Sequence, residues 1–150
     1  MNSTALPGMI SQAALAATDE QKKEWFGDEL GVIKTAAKRN DVDTDSNWFS
    51  LLLAIRKAEN GKKGREFGIL HPKCDAEMKK RPKETLDIQA GWAAATIRKN
   101  IARWEKDGKK EDFITYLSRK YAPVGAKNDP DGLNKNWIKN VKYWYKKIKD

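Results

Sequence analysis

The stretch "LLLAIRKAENGKKGREFGIL", residues 51–70, decides how this chain is read. Trp48, Leu51, Leu52 and Ile55 recur at i, i+3, i+4 and i+7, the spacing of one apolar helix face, so a helix is expected over 47–59. The polar run "NDVDTDSN" (40–47) before it offers several N-caps. Glu59 stands at i+4 from Ile55 and i+7 from Leu52, so it continues the apolar face. It also lies in the last turn, where the helix dipole presents negative charge. Burial and the dipole both disfavour the ionised carboxylate and raise its pKa, which is what a general acid for glycosidic cleavage requires. The bland alternative is a glutamate that frays into solvent or pairs with Lys62 or Lys63. The glycines at 61, 64 and 68 favour the first reading, because they let the chain turn sharply and let a bulky polymer approach.

Working outward, the pattern from Asp19 to Asn40 is helical but weakened by Gly27 and Gly31. Residues 60–83 carry three glycines and prolines at 72 and 82, and read as a small irregular or β-hairpin lobe. "ETLDIQAGWAAATIRKNIARWEKDG" (84–108) reads as a long helix. Its centre, "AGWAAAT", is small and apolar nearly all round, as expected of a buried central helix. "KEDFITYLSRKYAP" must stop being helical before Pro123, and "VGAKNDPDG" is a turn-rich loop. In the last stretch Trp137, Ile138, Val141, Trp144, Tyr145 and Ile148 keep helical spacing. The expected helices are 47–59, 85–106, 111–120 and 134–147. The fold class is all-α with a small irregular or β-hairpin lobe, one domain over 1–150, with 1–18 a loosely packed N-terminal segment.

Composition narrows the function classes. A chain of 150 residues can bury a real core, and six Trp, four Tyr and four Phe are too many large aromatics for a disordered tail. The net charge of +9 attracts polyanions: nucleic acid, anionic membrane or anionic cell-wall polymer. Its lysines are spread along the chain, which argues against a dedicated nucleic-acid-reading arm. Cys74 is the sole cysteine and His71 the sole histidine, so there is no intramolecular disulfide and half a zinc site at most. A Cys-His nucleophile pair at i, i+3 spacing would be unusual. No metal and no organic cofactor is expected. No apolar run is long enough to span a membrane, and the N-terminus lacks the basic start of a secretory signal.

"AIRKAENG" followed by "GREFGIL" resembles the start of a lysozyme-like domain, as in lytic transglycosylases and related muramidases. "YAP" (121–123) with "NDPDGLNKNW" resembles the tyrosine-bearing segment of bacterial glucosaminidases and phage-encoded wall hydrolases. The order agrees over about residues 47–145: glutamate helix, small lobe, long helix, tyrosine segment, closing helix. The resemblance implies cleavage of peptidoglycan glycan strands with Glu59 as catalytic acid. Tyr121 would bond near the scissile sugar or help position Glu59; the alternative is a core tyrosine. The chain would act as a monomer on the bacterial cell wall, as an endolysin released by another factor or a virion-associated hydrolase. The chain departs from the commonest pattern at Asn60, where a serine usually follows the glutamate, and in "GREFGIL", where a Gly-Leu-Met-Gln type segment is typical. No Asp and Thr follow at the phage-lysozyme spacing, so the second catalytic group stays open, and with it hydrolysis against transglycosylation.

Glu66 offers itself as a second carboxylate facing the cleft, or as a surface glutamate paired with Arg65; Asp75 stands in the same lobe. Gly68, Asn128 and Trp92 are the candidate substrate-binding residues. Asn128 and Asp129 suit sugar N-acetyl groups or simply a turn, and Trp92 suits the core or a sugar face. Trp137 and Trp144 are expected in the core. The competing reading is a non-enzymatic basic helical nucleic-acid-binding domain. It accounts for +9 and the aromatics but not for Glu59, and no helix-turn-helix, zinc-finger or RNA-recognition motif supports it.

Overall fold

The computed structural model describes residues 16–121 and 135–149. They form seven helices and no strand: α1 (Asp19–Phe26), α2 (Glu29–Arg39), α3 (Asn47–Glu59), α4 (Pro72–Lys80), α5 (Thr85–Lys106), α6 (Phe113–Tyr121) and α7 (Lys135–Lys149). The all-α class expected from the sequence is what these residues adopt.

Local chemistry sets most of the boundaries. Thr18 and Gln21 close a capping box at α1. The helical stretch 19–40 breaks at Gly27, whose φ is +57°, into α1 and α2. Ser46 caps α3, accepting from the Phe49 amide, and Asn60 ends it in the left-handed conformation (φ 47°, ψ 37°). Asp112 accepts from the Thr115 amide at the start of α6.

One expectation needs correction. Residues 60–83 hold no hairpin; 72–80 form α4, with His71 as N-cap and Pro72 in the first turn. The signal was Pro72 in the first turn, where a helix does not use the N–H, with Cys74 and Met78 one turn apart facing inward. The long helix α5 packs against α2, α3, α4 and α6, as expected of a central helix. Phe49 to Ile55 of α3 are buried without interruption, whereas Trp92, Ala95 and Thr96 of α5 remain partly open. α3 packs chiefly against α7, and α2 against α5. Losing one α3 core side chain, as in Leu52→Ala, is expected to cost about 2–5 kcal/mol.

The N-terminal segment lies mostly outside the described residues, but at Ala17 the backbone N–H already bonds the Ile148 carbonyl (3.0 Å), tying it to the end of α7. No described helix is long and apolar enough to cross a membrane.

Candidate active site

A groove of about 1000 Å³ runs along one face of α5. Ile88, Gly91, Ala95, Thr96 and Lys99 form its floor at helical spacing, and Trp92 of the same helix stands on the wall. One flank is the loop 65–71 with Glu77 and Arg81 of α4 and its C-cap; α2 contributes Arg39 and Asn40. Glu59, Tyr121 and Trp137 meet in the same groove.

Glu59 is the last residue of α3 and is partly buried. Its Oε2 accepts a hydrogen bond from the Trp137 indole N–H (2.8 Å). Its other oxygen has no donor among the described residues. Burial raises its pKa above the ordinary 4.5, and the Trp137 bond offsets part of that rise. Gly68 lies directly over the carboxyl group. A Cβ built on Gly68 would stand 2.6 Å from Oε1, and its φ of +71° is itself one that side chains rarely adopt. The missing side chain is therefore filled by the carboxyl of Glu59.

A second layer holds Gly68 in place. Gln89, fully buried on α5, accepts at Oε1 from the amides of Phe67 and Ile69 (both 3.1 Å) and donates from Nε2 to the Ile69 carbonyl (3.0 Å). One side chain thus supplies the ladder of bonds that a neighbouring strand would otherwise provide. The Tyr121 hydroxyl donates to the Phe67 carbonyl, and its ring stacks on Trp137 (centroids 5.2 Å, 28°). Burial holds the Tyr121 phenol well above its usual pKa, with the charge of Glu59 adding to it, so it stays a donor. Tyr121 thus packs against the core while lining the groove, and it reaches the surroundings of Glu59 through Phe67 and Trp137. Arg56 braces the same loop from α3, donating to the carbonyls of Gly61 (3.3 Å) and Glu66 (3.2 Å) while gripping Glu29 through Nε (2.8 Å) and Nη2 (3.1 Å).

The remaining candidates separate. Glu66 is buried away from the groove; its oxygens accept from the Gly64 amide (2.9 Å) and the Thr85 hydroxyl (2.7 Å), so neither of the two roles expected for it matches its position. Asp75 pairs with Arg65 (2.8 Å). Trp92 is on the groove wall rather than in the core, its indole N–H bonded to Glu77 (2.9 Å) and its face stacked on His71 (5.1 Å). Trp137, expected in the core, is buried yet reaches the carboxyl of Glu59. Asn128 and Asp129 lie outside the described residues. His71 and Cys74 do not pair: His71 Nδ1 accepts from the Lys73 amide (3.1 Å). Burial pushes the Cys74 thiol up to about 11, far from a neutral-pH nucleophile. Sequence reading missed Gln89, although it interrupts the apolar face of α5 much as Glu59 interrupts that of α3.

These features define an all-α domain with an open groove built around the desolvated carboxyl of Glu59. The chain matches no protein-family model, no curated protein and no solved structure.

Proposed function

We propose that this chain is a lysozyme-like glycosidase that cleaves the glycan strand of peptidoglycan, of muramidase or lytic transglycosylase type. The observation that carries the reading is the Glu59 carboxyl: it ends a buried helix, opens on a groove large enough for several sugar units, and is held above its ordinary pKa by burial. Such a group donates its proton to the glycosidic oxygen as the C1–O bond breaks and the bonding pair moves to the leaving oxygen. The carboxylate left behind then takes the proton of the nucleophile, either water or the substrate's own hydroxyl. Among the described residues the only other acid lining the groove is Glu77, engaged by Trp92 and Arg81. That supports one carboxyl serving as acid and then base. Trp92 and the adjacent Leu70 offer an apolar wall to a sugar face. The site of action is the bacterial wall, reached as a released endolysin or on a virion.

The test is digestion of purified peptidoglycan by the parent chain and by Glu59→Gln, with products read by mass spectrometry. The amide keeps size and most hydrogen bonding but has no proton to give, so a rate loss of about 10²–10⁴ is expected. Reducing ends would mark hydrolysis and anhydro ends transglycosylation. Near-full lysis by folded Glu59→Gln removes Glu59 as the acid. Absence of lysis by the parent, with tight salt-sensitive binding to duplex DNA, would favour the basic nucleic-acid-binding domain, the reading that the charge of +9 alone supports.

A further inference from the structure

Helix α7 carries six lysines and no acidic residue between Lys135 and Lys149, two-thirds of the net charge of the whole chain. At 3.6 residues per turn, Lys135, Lys139, Lys142, Lys146 and Lys149 fall within about a quarter of the helix circumference. They form a straight file about 21 Å long, one cation per turn or slightly closer. All five are exposed. Among the described residues the file has one ion pair, Lys142 with Asp112 at 3.4 Å, and one ring contact, Lys149 over Tyr145 at 5.6 Å. The other side of the helix, Trp137, Val141 and Ile148, is buried against the domain. The file therefore faces away from Trp137 and the groove, and a polymer bound there would leave the groove open.

We propose that this file is a docking strip for a linear phosphodiester polymer of the cell wall, of the polyol-phosphate type. The inference rests on the wall-directed reading above and adds a second site to it. A straight row of evenly spaced cations complements a linear chain with one negative charge per short repeat. A membrane fits less well, because the apolar face of α7 is already buried in the protein and leaves no wedge to insert among lipids. Single-stranded nucleic acid fits less well, because base binding uses successive aromatic platforms. The only large exposed aromatic here is Tyr143, and Lys147 already sits 5.8 Å over its ring. Bound polymer would hold the groove near the glycan to which it is attached.

The experiment uses the full chain with Glu59→Gln, so that wall material is bound and not digested. Three probes are compared at low salt: wall sacculi bearing poly(glycerol phosphate), the same sacculi stripped of it by hydrofluoric acid, and soluble poly(glycerol phosphate). Changing Lys135, Lys139, Lys146 and Lys149 to Gln is expected to weaken binding to the first and third at least about tenfold. The slope of log affinity against log salt should fall by about 0.7 per lysine removed. Changing Lys38, Lys63, Lys79 and Lys106 to Gln alters net charge equally and should weaken binding much less. The four α7 lysines changed to Arg should bind as the parent does, with unchanged helicity and thermal midpoint. Equal loss in both glutamine sets, parent binding that survives stripping, or tighter binding to an oligo-dT of equal charge or to phosphatidylglycerol vesicles would each overturn the proposal. Lysis without strip-dependent binding breaks this inference alone; strip-dependent binding without lysis breaks the catalytic reading alone.

Discussion

Glu59 and Glu66 stand seven residues apart, on either side of the same glycine-rich turn, and the fold treats them oppositely. Glu66 is the more deeply buried, yet both its oxygens meet donors, the Gly64 amide and the Thr85 hydroxyl. Glu59 is less buried but has one donor, the Trp137 indole, and faces Gly68 with its other oxygen. Burial alone does not make an acid catalyst. A buried carboxyl whose oxygens are both bonded ties a turn to a helix; one left short of donors at the edge of a groove holds its proton to higher pH.

The contrast is sharpest in paired substitutions. Glu59→Gln should lose about 10²–10⁴ in lysis with little change in thermal midpoint. Glu66→Leu should do the reverse, because it has no acceptor for the Gly64 amide or the Thr85 hydroxyl and leaves buried donors unmet. A loss of about 1–3 kcal/mol in stability is expected, with lysis by the folded fraction largely kept. A larger loss of lysis at Glu66 with an unchanged midpoint would reverse the assignment of the two carboxyls.

Gly68→Ala comes next. The new methyl would collide with the Glu59 carboxyl and shift it, and misplacing a reacting group by about 1 Å can cost on the order of 10² in rate. Gly64→Ala is the control, since Gly64 also has a positive φ (+88°) but open space where the Cβ would go. Both should lose about 1–2 kcal/mol to backbone strain. If the two lose lysis equally, contact with Glu59 is not what Gly68 provides.

A smaller effect is expected of Trp137→Phe, which keeps a ring against Tyr121 but removes the indole N–H. That bond lowers the Glu59 pKa, so its loss lets burial raise it further. On the proposed mechanism, activity requires the protonated acid and falls as pH rises through this pKa. The alkaline limb of the rate profile should therefore move to higher pH in the variant, and an unmoved limb would exclude Glu59 as its source.

The smallest effect is on stability. Folded Glu59 holds its proton to higher pH than the unfolded chain, where the carboxyl titrates near 4.5. The stability this group confers is thus full below about 4.5 and declines as pH rises toward the raised folded value. Glu59→Gln lacks the decline. Its thermal midpoint should gain on the parent's as pH rises through that window, and curves that stay parallel would mean Glu59 is not desolvated.

The two long helices show what local pattern can and cannot supply. The expected ranges 47–59 and 85–106 coincide with α3 and α5, because capping residues and the 3.6-residue period act within a few residues of each position. Both build the core: α5 packs against α2, α3, α4 and α6, and α3 carries the unbroken buried run from Phe49 to Ile55. The small residues of "AGWAAAT" read as all-round burial, but α5 uses them to leave room for the groove. Helix α4 was overlooked because glycine and proline punctuate the lobe so densely that the nine residues between Pro72 and Lys80 looked like turn.

By itself, the sequence determined the all-helical class, the main helix boundaries, and the anomaly of a glutamate continuing the apolar face of α3. It also determined the lysine-rich, acid-free character of α7, since charge and period are properties of the chain. Only the tertiary structure decided which of the two glutamates has a single donor, that Gly68 is filled by Glu59, and that Gln89, Tyr121 and Trp137 close around them. The physical reason is separation: Trp137 reaches Glu59 across 78 residues and Tyr121 reaches Phe67 across 54. No local periodicity encodes a hydrogen bond made between helices that meet only when the core has packed.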